Sequence, residues 1–351
     1  MRTSDRIDAE PCIVCTSRAR EVVATRGRDR ADLVTVVCQG CGMVSHHPLP
    51  DAEAVANFYE RDYRIAYKGQ AEPRLKHSLR AQRGAIARAR RLRPLLPRAA
   101  RVLDIGASSG EFTYVMSRLG MRATGMEPNL GYAAYARRTY GVAVQDGGYE
   151  AAPEEPGGYH MIVLNHVLEH LHEPGQALAR FHALLAEDGL LFLEVPNLLG
   201  VRKRAATLFH TAHIWNFTPQ TLVGLAARYG FAPLPGQDMS ETSLVFRRRP
   251  TSPEYTPDAT LAARLRQQVA IEQRSLAYLL SGMPFIRRWH RLCRNIEEHR
   301  TIRRHEGVRA MADALVAASF PASVPAPPSR PAPHATRHPG ATRQGSGAVG
   351  D

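Results

Sequence analysis

No stretch of this 351-residue chain approaches the roughly 20 consecutive apolar residues of a membrane-spanning helix. Nor does it open on a basic segment followed by an apolar one, so no secretory signal is read and a cytoplasmic location is expected. Lysine is almost absent, with Lys68, Lys76 and Lys203 alone, so the net charge of +13 is carried by arginine. The Gly-Lys-Ser/Thr ending of a phosphate loop is missing where it would matter, since Gly110 is followed by Glu111. The middle glycine of the dinucleotide fingerprint is missing too, its place being taken by Ser108.

What is present has ordinary proportions for a folded protein, 44% apolar and 23% charged. The positive charge is not uniform. Residues 1–100 are net +8, residues 101–246 net −4 and residues 247–351 net +9. The basic excess therefore sits in the flanks of a mildly acidic middle, which argues against a nucleic-acid partner.

Residues 101–112 organise that middle. Val102, Leu103 and Ile105 form the short apolar run of a buried parallel strand. Gly106 and Gly110 bracket a turn, and Phe112, Val115, Met116 and Leu119 recur at helical spacing. The glycines are expected to leave room for a ligand. Asp104 at the strand end would repel a pyrophosphate but suits a cation. About twenty residues on, a second strand ends in Glu127, where nucleotide-binding sheets accept ribose hydroxyls. A third strand ends in Asp146, expected to meet an adenine amino group, and a fourth ends just before Asn165. Leu190 to Val195, then residues 231–238 and 243–248, complete an expected seven strands alternating with helices.

Asp104-x-Gly106-x-Ser108-x-Gly110, Glu127 and the segment 163–171 together resemble class I S-adenosylmethionine-dependent methyltransferases. The resemblance implies a Rossmann-like α/β sheet of seven strands with an antiparallel last strand, and S-adenosyl-L-methionine as cofactor. Asp104, Gly106, Ser108, Gly110, Glu127, Asp146 and Asn165 would hold it.

Four of the five cysteines fall as Cys12-x-x-Cys15 and Cys38-x-x-Cys41, a spacing that presents four thiolates to one structural Zn2+. The expected organisation is a zinc ribbon over 8–50 and a helical linker or lid over 51–97. A methyltransferase domain over 98–250, a helical extension over 257–318 and a disordered tail over 320–351 follow. Phe58, Tyr59, Tyr63 and Tyr67 in the linker resemble the substrate-covering segment of ribbon-bearing methyltransferases that act on nucleotide-linked sugars, or else dock ribbon on core. The basic helix of residues 73–97 is expected to present either a solvated face or an anion patch. In the extension, residues 284–297 form a basic amphipathic stretch open to peripheral membrane contact, to packing on its own domain or to a second subunit, and Cys293 is expected to pack. The sequence leaves the oligomeric state open.

Two segments carry candidate catalytic groups. His166-x-x-Glu169-His170 is similar to the Glu-x-x-Glu-His of ubiquinone-pathway O-methyltransferases, where a divalent ion is implicated. His166 in place of the first Glu weakens a magnesium site, because hard ions prefer oxygen. His166 is expected to line cofactor or substrate, with Glu169 and His170 structural at a helix start. His213, in the segment 210–219, matches the general base of sugar C-methyltransferases, though Ala212 replaces the Glu that precedes it there. The expectation is O-methylation of a small molecule or glycan with His213 as base. An RNA methyltransferase, a sugar C-methyltransferase and a non-catalytic scaffold are the alternatives; no Asn/Asp-Pro-Pro-Tyr/Phe motif for base amines occurs.

Overall fold

The computed structural model describes residues 6–8, 10–28, 31–51, 53, 55, 72–199, 208–272 and 283–321. The aromatic linker segment with Phe58, Tyr59, Tyr63 and Tyr67, and the tail beyond 321, lie outside the described residues.

Among the described residues the central sheet has seven strands. They are β5 (Arg101–Ile105), β6 (Arg122–Glu127), β7 (Ala143–Asp146), β8 (Tyr159–Asn165), β9 (Leu185–Glu194), β11 (Phe231–Pro233) and β12 (Ser243–Arg248). Their order is β11-β12-β9-β8-β5-β6-β7. β5 to β9 run parallel and β12 pairs antiparallel with β9, as expected. Leu103, Ile162 and Leu191 are wholly buried, the condition of a sheet covered on both faces. β9 begins at Leu185, four residues before the apolar run starting at Gly189, and β7 begins only at Ala143 because Gly141 caps the preceding helix at φ +65°.

Helices α1 (Leu75–Leu92), α2 (Glu111–Arg118), α3 (Leu130–Tyr140), α4 (Pro174–Leu184) and α5 (Pro219–Arg228) cover the sheet. Thr218 caps α5 by a reciprocal pair of hydrogen bonds with Thr221, and Leu222, Leu225 and Ala226 are fully buried.

A second sheet carries the cysteines. β1 (Arg6–Asp8), β2 (Ala19–Arg26), β3 (Asp32–Cys38) and β4 (Val44–His46) form an antiparallel meander, and its last strand is β10 (Trp215–Asn216), from the other side of the central sheet's sequence. Trp215 opposes Ser45 and Asn216 opposes Val44. The apolar cluster is continuous across this join, running from Cys12, Cys41 and Met43 to Leu103, Leu191 and Phe246.

Among the described residues the extension holds three helices, α6 (Leu261–Glu272), α7 (Met283–Arg303) and α8 (Gly307–Ser319). α6 packs Leu261, Leu265 and Val269 on Val23, Val37 and Val44 of the ribbon, and Arg266 pairs with Glu21. α8 buries Met311, Ala312 and Val316 against the α1 side of the core, and Asp313 bonds Tyr114 and Arg118.

Two expectations are corrected here. The cations of α1 are not a patch left for an anion: Arg80 pairs with Glu298 at 2.5 Å, Arg83 with Glu297 at 2.9 Å and Arg88 with Glu194 at 2.5 Å, while Arg90 and Arg91 stay exposed. Cys293 does not pack but is exposed, because α7 meets α1 through the opposite side of the helix.

Candidate methyltransferase site

Parallel register brings the strand ends to one edge. Asp104 lies beside Gly125 and Val163, Glu127 beside Asp146, and Asn165 beside Glu194. A cleft of about 920 Å³ opens there, lined by Asp104, Gly106, Ser108, Glu127, Asp146, Asn165 and His166 among others. Its size is that of a small-molecule site. Every residue expected at the cofactor except Gly110 lines it.

The turn is built by its own atoms. Gly106 has φ +71° and Gly110 φ +86°, both in the left-handed region that favours glycine. A Cβ at Gly106 would stand 2.5 Å from Val167 Cγ2, and one at Gly110 would stand 2.6 Å from Ala136 Cβ. The glycines are thus required by the approach of two neighbouring segments, and Gly106 also lines the cleft. Ser108 takes the left-handed conformation without being glycine, at φ +53°. Its N–H donates to Glu127 Oε2 at 2.7 Å, and Asn129 N–H donates to Oε1 at 3.0 Å. Both oxygens of Glu127 are thereby fixed at the strand end.

Asp104 is buried, with 3% exposure, and accepts from Thr113 Oγ1 at 2.8 Å. Burial pushes its pKa up to about 7 against that hydrogen bond. Asn165 Oδ1 is buried in the cleft wall with no hydrogen-bond partner among the described residues, so a ligand donor there would satisfy it. A cationic adenosine-bearing group fits this set: a carboxylate made costly by burial, an anchored carboxylate and an unused amide oxygen.

Behind the acids stands a histidine cluster. His166, in the left-handed region at φ +54°, lies 3.5 Å from Glu169 and 3.5 Å from Glu194. Burial lowers its pKa, but the two carboxylates outweigh burial and raise it to about 9. Arg88 and His166 hold Glu194 down at about 2 against burial. Glu169 and His170 sit on a 3-10 turn, Leu168–His170, ahead of the helix at Pro174. Their expected place at a helix start is corrected, and His170 lines the cleft. His170 Nδ1 is 2.7 Å from the Ala212 carbonyl, which only accepts, so that nitrogen carries the proton and Nε2 faces Glu169 at 3.7 Å. Both Glu169 oxygens are buried without a hydrogen-bond donor.

His213 does not line the cleft. It stacks edge-on against His170, with ring centroids 4.9 Å apart, and burial followed by the charge of His170 lowers its pKa to about 3. Glu169, His170 and His213 have ligand atoms within 4.8 Å of one another, close enough to share one cation. Three functional positions were not read from the sequence: Arg88, Glu194 and His170 as a wall residue. Glu194 ends a strand as Asp104 and Glu127 do, so the signal was available; nothing local distinguishes Arg88 from its neighbouring arginines.

In the ribbon, Cys12 and Cys41 Sγ are 3.6 Å apart and Cys15 and Cys38 Sγ 3.5 Å. All four lie within 4.8 Å of one another. A tetrahedral zinc with bonds of about 2.3 Å needs edges of about 3.8 Å, so the donor set fits structural zinc.

Residues 77–235 match the family described as "Methyltransferase domain". The strand order and the glycine turn accord with a methyltransferase domain over this segment. Ubiquinone biosynthesis O-methyltransferases of Pseudomonas aeruginosa strains UCBPP-PA14 and LESB58 are 31% identical over 103 residues, 28% of this chain and 44% of theirs. The chain thus spans under half the length of these relatives. Among solved structures, the 1,6-didemethyltoxoflavin-N1-methyltransferase of Burkholderia thailandensis is 22% identical, with TM-score 0.45, covering 64% of this chain and 100% of that one. The magnesium protoporphyrin IX methyltransferase of Synechocystis PCC 6803 is 17% identical, with TM-score 0.41, covering 57% and 100%. Neither likeness bears on the acceptor.

Proposed function

We propose that the chain binds S-adenosyl-L-methionine in the cleft and methylates an oxygen of a small molecule or glycan. The observation that carries this reading is the convergence of Asp104, Glu127 and Asn165 on one cleft whose far wall is His166 and His170. When bound, the cofactor supplies an electrophilic methyl on a sulfonium. Asp104 and Asn165 orient it, and Glu127 accepts from its ribose hydroxyls.

The acceptor's proton goes to the histidine wall. His170 turns Nε2 away from the Ala212 carbonyl that holds its Nδ1–H. Glu169 stands ready to stabilise the imidazolium that forms. His213, the base expected from the sequence, supports His170 from behind, and His166 is already protonated and so orients rather than abstracts. The cleft rim carries Asp104, Glu111, Glu127, Asp146, Glu150 and Glu173 against Arg88, which disfavours a polyanionic acceptor such as RNA.

The test is transfer from labelled cofactor to fractionated small-molecule extract. His170→Ala is expected to lower kcat at least a hundredfold with cofactor affinity unchanged. His213→Ala is expected to lower it less. Full turnover in His170→Ala removes it as base; label on no small molecule removes the acceptor class.

A further inference from the structure

The C-terminal helix α7 lies outside the matched methyltransferase segment and plays no part in the cleft. It contains two acids and six arginines. Both acids are paired to α1, Glu298 buried and Glu297 exposed. Glu298, 1% exposed, receives two hydrogen bonds from Arg80 at 2.5 and 2.9 Å and faces Lys76 at 3.6 Å. Glu297 pairs with Arg83 at 2.9 Å. The helix is thus clamped to α1 through its acids, and its tryptophan-bearing side carries arginines without a carboxylate among them.

That outer side is also apolar. Trp289, Leu292 and Ile296 are 65%, 51% and 46% exposed, and their spacing puts them on one stripe. By the same helical rotation Arg288, Arg300 and Arg303, all exposed, lie along or beside it. Elsewhere among the described residues, exposed large apolar side chains are scattered singly: Leu75, Leu95, Leu130 and Met239. A tryptophan-bearing apolar stripe edged by arginines, with the helix's two carboxylates each neutralised by a cation of α1, is complementary to an anionic lipid surface. A protein partner would have to tolerate a rim of uncompensated cations.

We propose that the outer side of α7 docks the protein on anionic membranes, with Trp289, Leu292 and Ile296 entering the headgroup region and Arg288, Arg300 and Arg303 meeting lipid phosphates. No helix among the described residues is long and apolar enough to cross a membrane, so this is contact along a surface.

The chain has two tryptophans, Trp289 and the buried Trp215, so a change in tryptophan emission on docking reports α7. The full-length protein is mixed with vesicles of equimolar phosphatidylglycerol and phosphatidylcholine, or of phosphatidylcholine alone, and followed by co-sedimentation and fluorescence. Sedimentation and a blue shift are expected with the anionic vesicles and neither with the neutral ones. Each arginine removed is expected to weaken partitioning roughly fivefold, so Arg288→Gln/Arg300→Gln/Arg303→Gln loses on the order of a hundredfold. Leu292→Ser/Ile296→Ser, checked for an unchanged circular dichroism spectrum, abolishes the blue shift. No sedimentation with anionic vesicles at low salt overturns the proposal, as does sedimentation unchanged in both variants. Loss of a concentration-dependent dimer in the serine variant, without vesicle binding in the parent, would assign the stripe to a second copy instead.

Discussion

Asp104 shows how one residue can carry both recognition and a pH response. The folded protein keeps its proton to about pH 7, whereas an ordinary aspartate loses it near 3.8. Between those values the folded state binds more protons than the unfolded chain. Stability of the ligand-free protein therefore falls as pH rises from 3.8 to about 7 on account of this group. A cationic ligand has the opposite preference, since only the deprotonated carboxylate attracts it. Calorimetric affinity for S-adenosylmethionine is expected to rise with pH through about 7 and level off above, and Asp104→Asn is expected to bind weakly with no such slope. A flat profile in the parent protein would show that Asp104 does not face the charge. Gly106 tests the turn in the same way: Gly106→Ala meets both the left-handed backbone and Val167 Cγ2 at 2.5 Å. It is expected to cost more than about 1 kcal/mol in urea unfolding and to abolish cofactor binding; parent-like stability would show that the Val167 segment moves freely.

Single elements were legible where a pattern is local. β5 declared itself by Val102, Leu103 and Ile105, and the start of α5 by Thr218 followed by Pro219. Thr218→Ala is expected to destabilise the protein by about 1 kcal/mol, read as a lowered urea midpoint at constant slope. What the sequence could not show depended on partners far away. The charges of α1 looked free because Glu297 and Glu298 come more than two hundred residues later. β10 escaped notice because two residues carry no periodicity, and only its pairing with β4 makes it a strand. His170 was read as structural for a related reason: its place in the cleft wall follows from the carbonyl of Ala212, which holds its ring, 42 residues on. The polar residues at the strand ends needed no such partner, which is why Asp104, Glu127, Asp146 and Asn165 could be placed together at the cleft from sequence.

At the scale of the whole molecule, ribbon, core and extension share buried surface. The cysteine cluster continues into the core's apolar interior, α6 rests on the ribbon, and α7 and α8 are fastened to the core by ion pairs and apolar contacts. Cys38→Ser is expected to lower zinc content from one equivalent to none and to lower the thermal midpoint by several degrees, measured by atomic absorption and calorimetry. A zinc-free parent protein with the same midpoint would remove the metal from the account. β10 extends that coupling to chemistry. Trp215 is two residues past His213, its indole donates to the Leu171 carbonyl at 2.9 Å, and the His46 N–H binds the Ile214 carbonyl at 3.1 Å. Backbone pairing thus ties the ribbon directly to the segment that carries His213. Stripping the metal with a chelator would slacken the thread on which His213 and His170 hang, so an agent that never enters the cleft would silence turnover before it unfolds the protein.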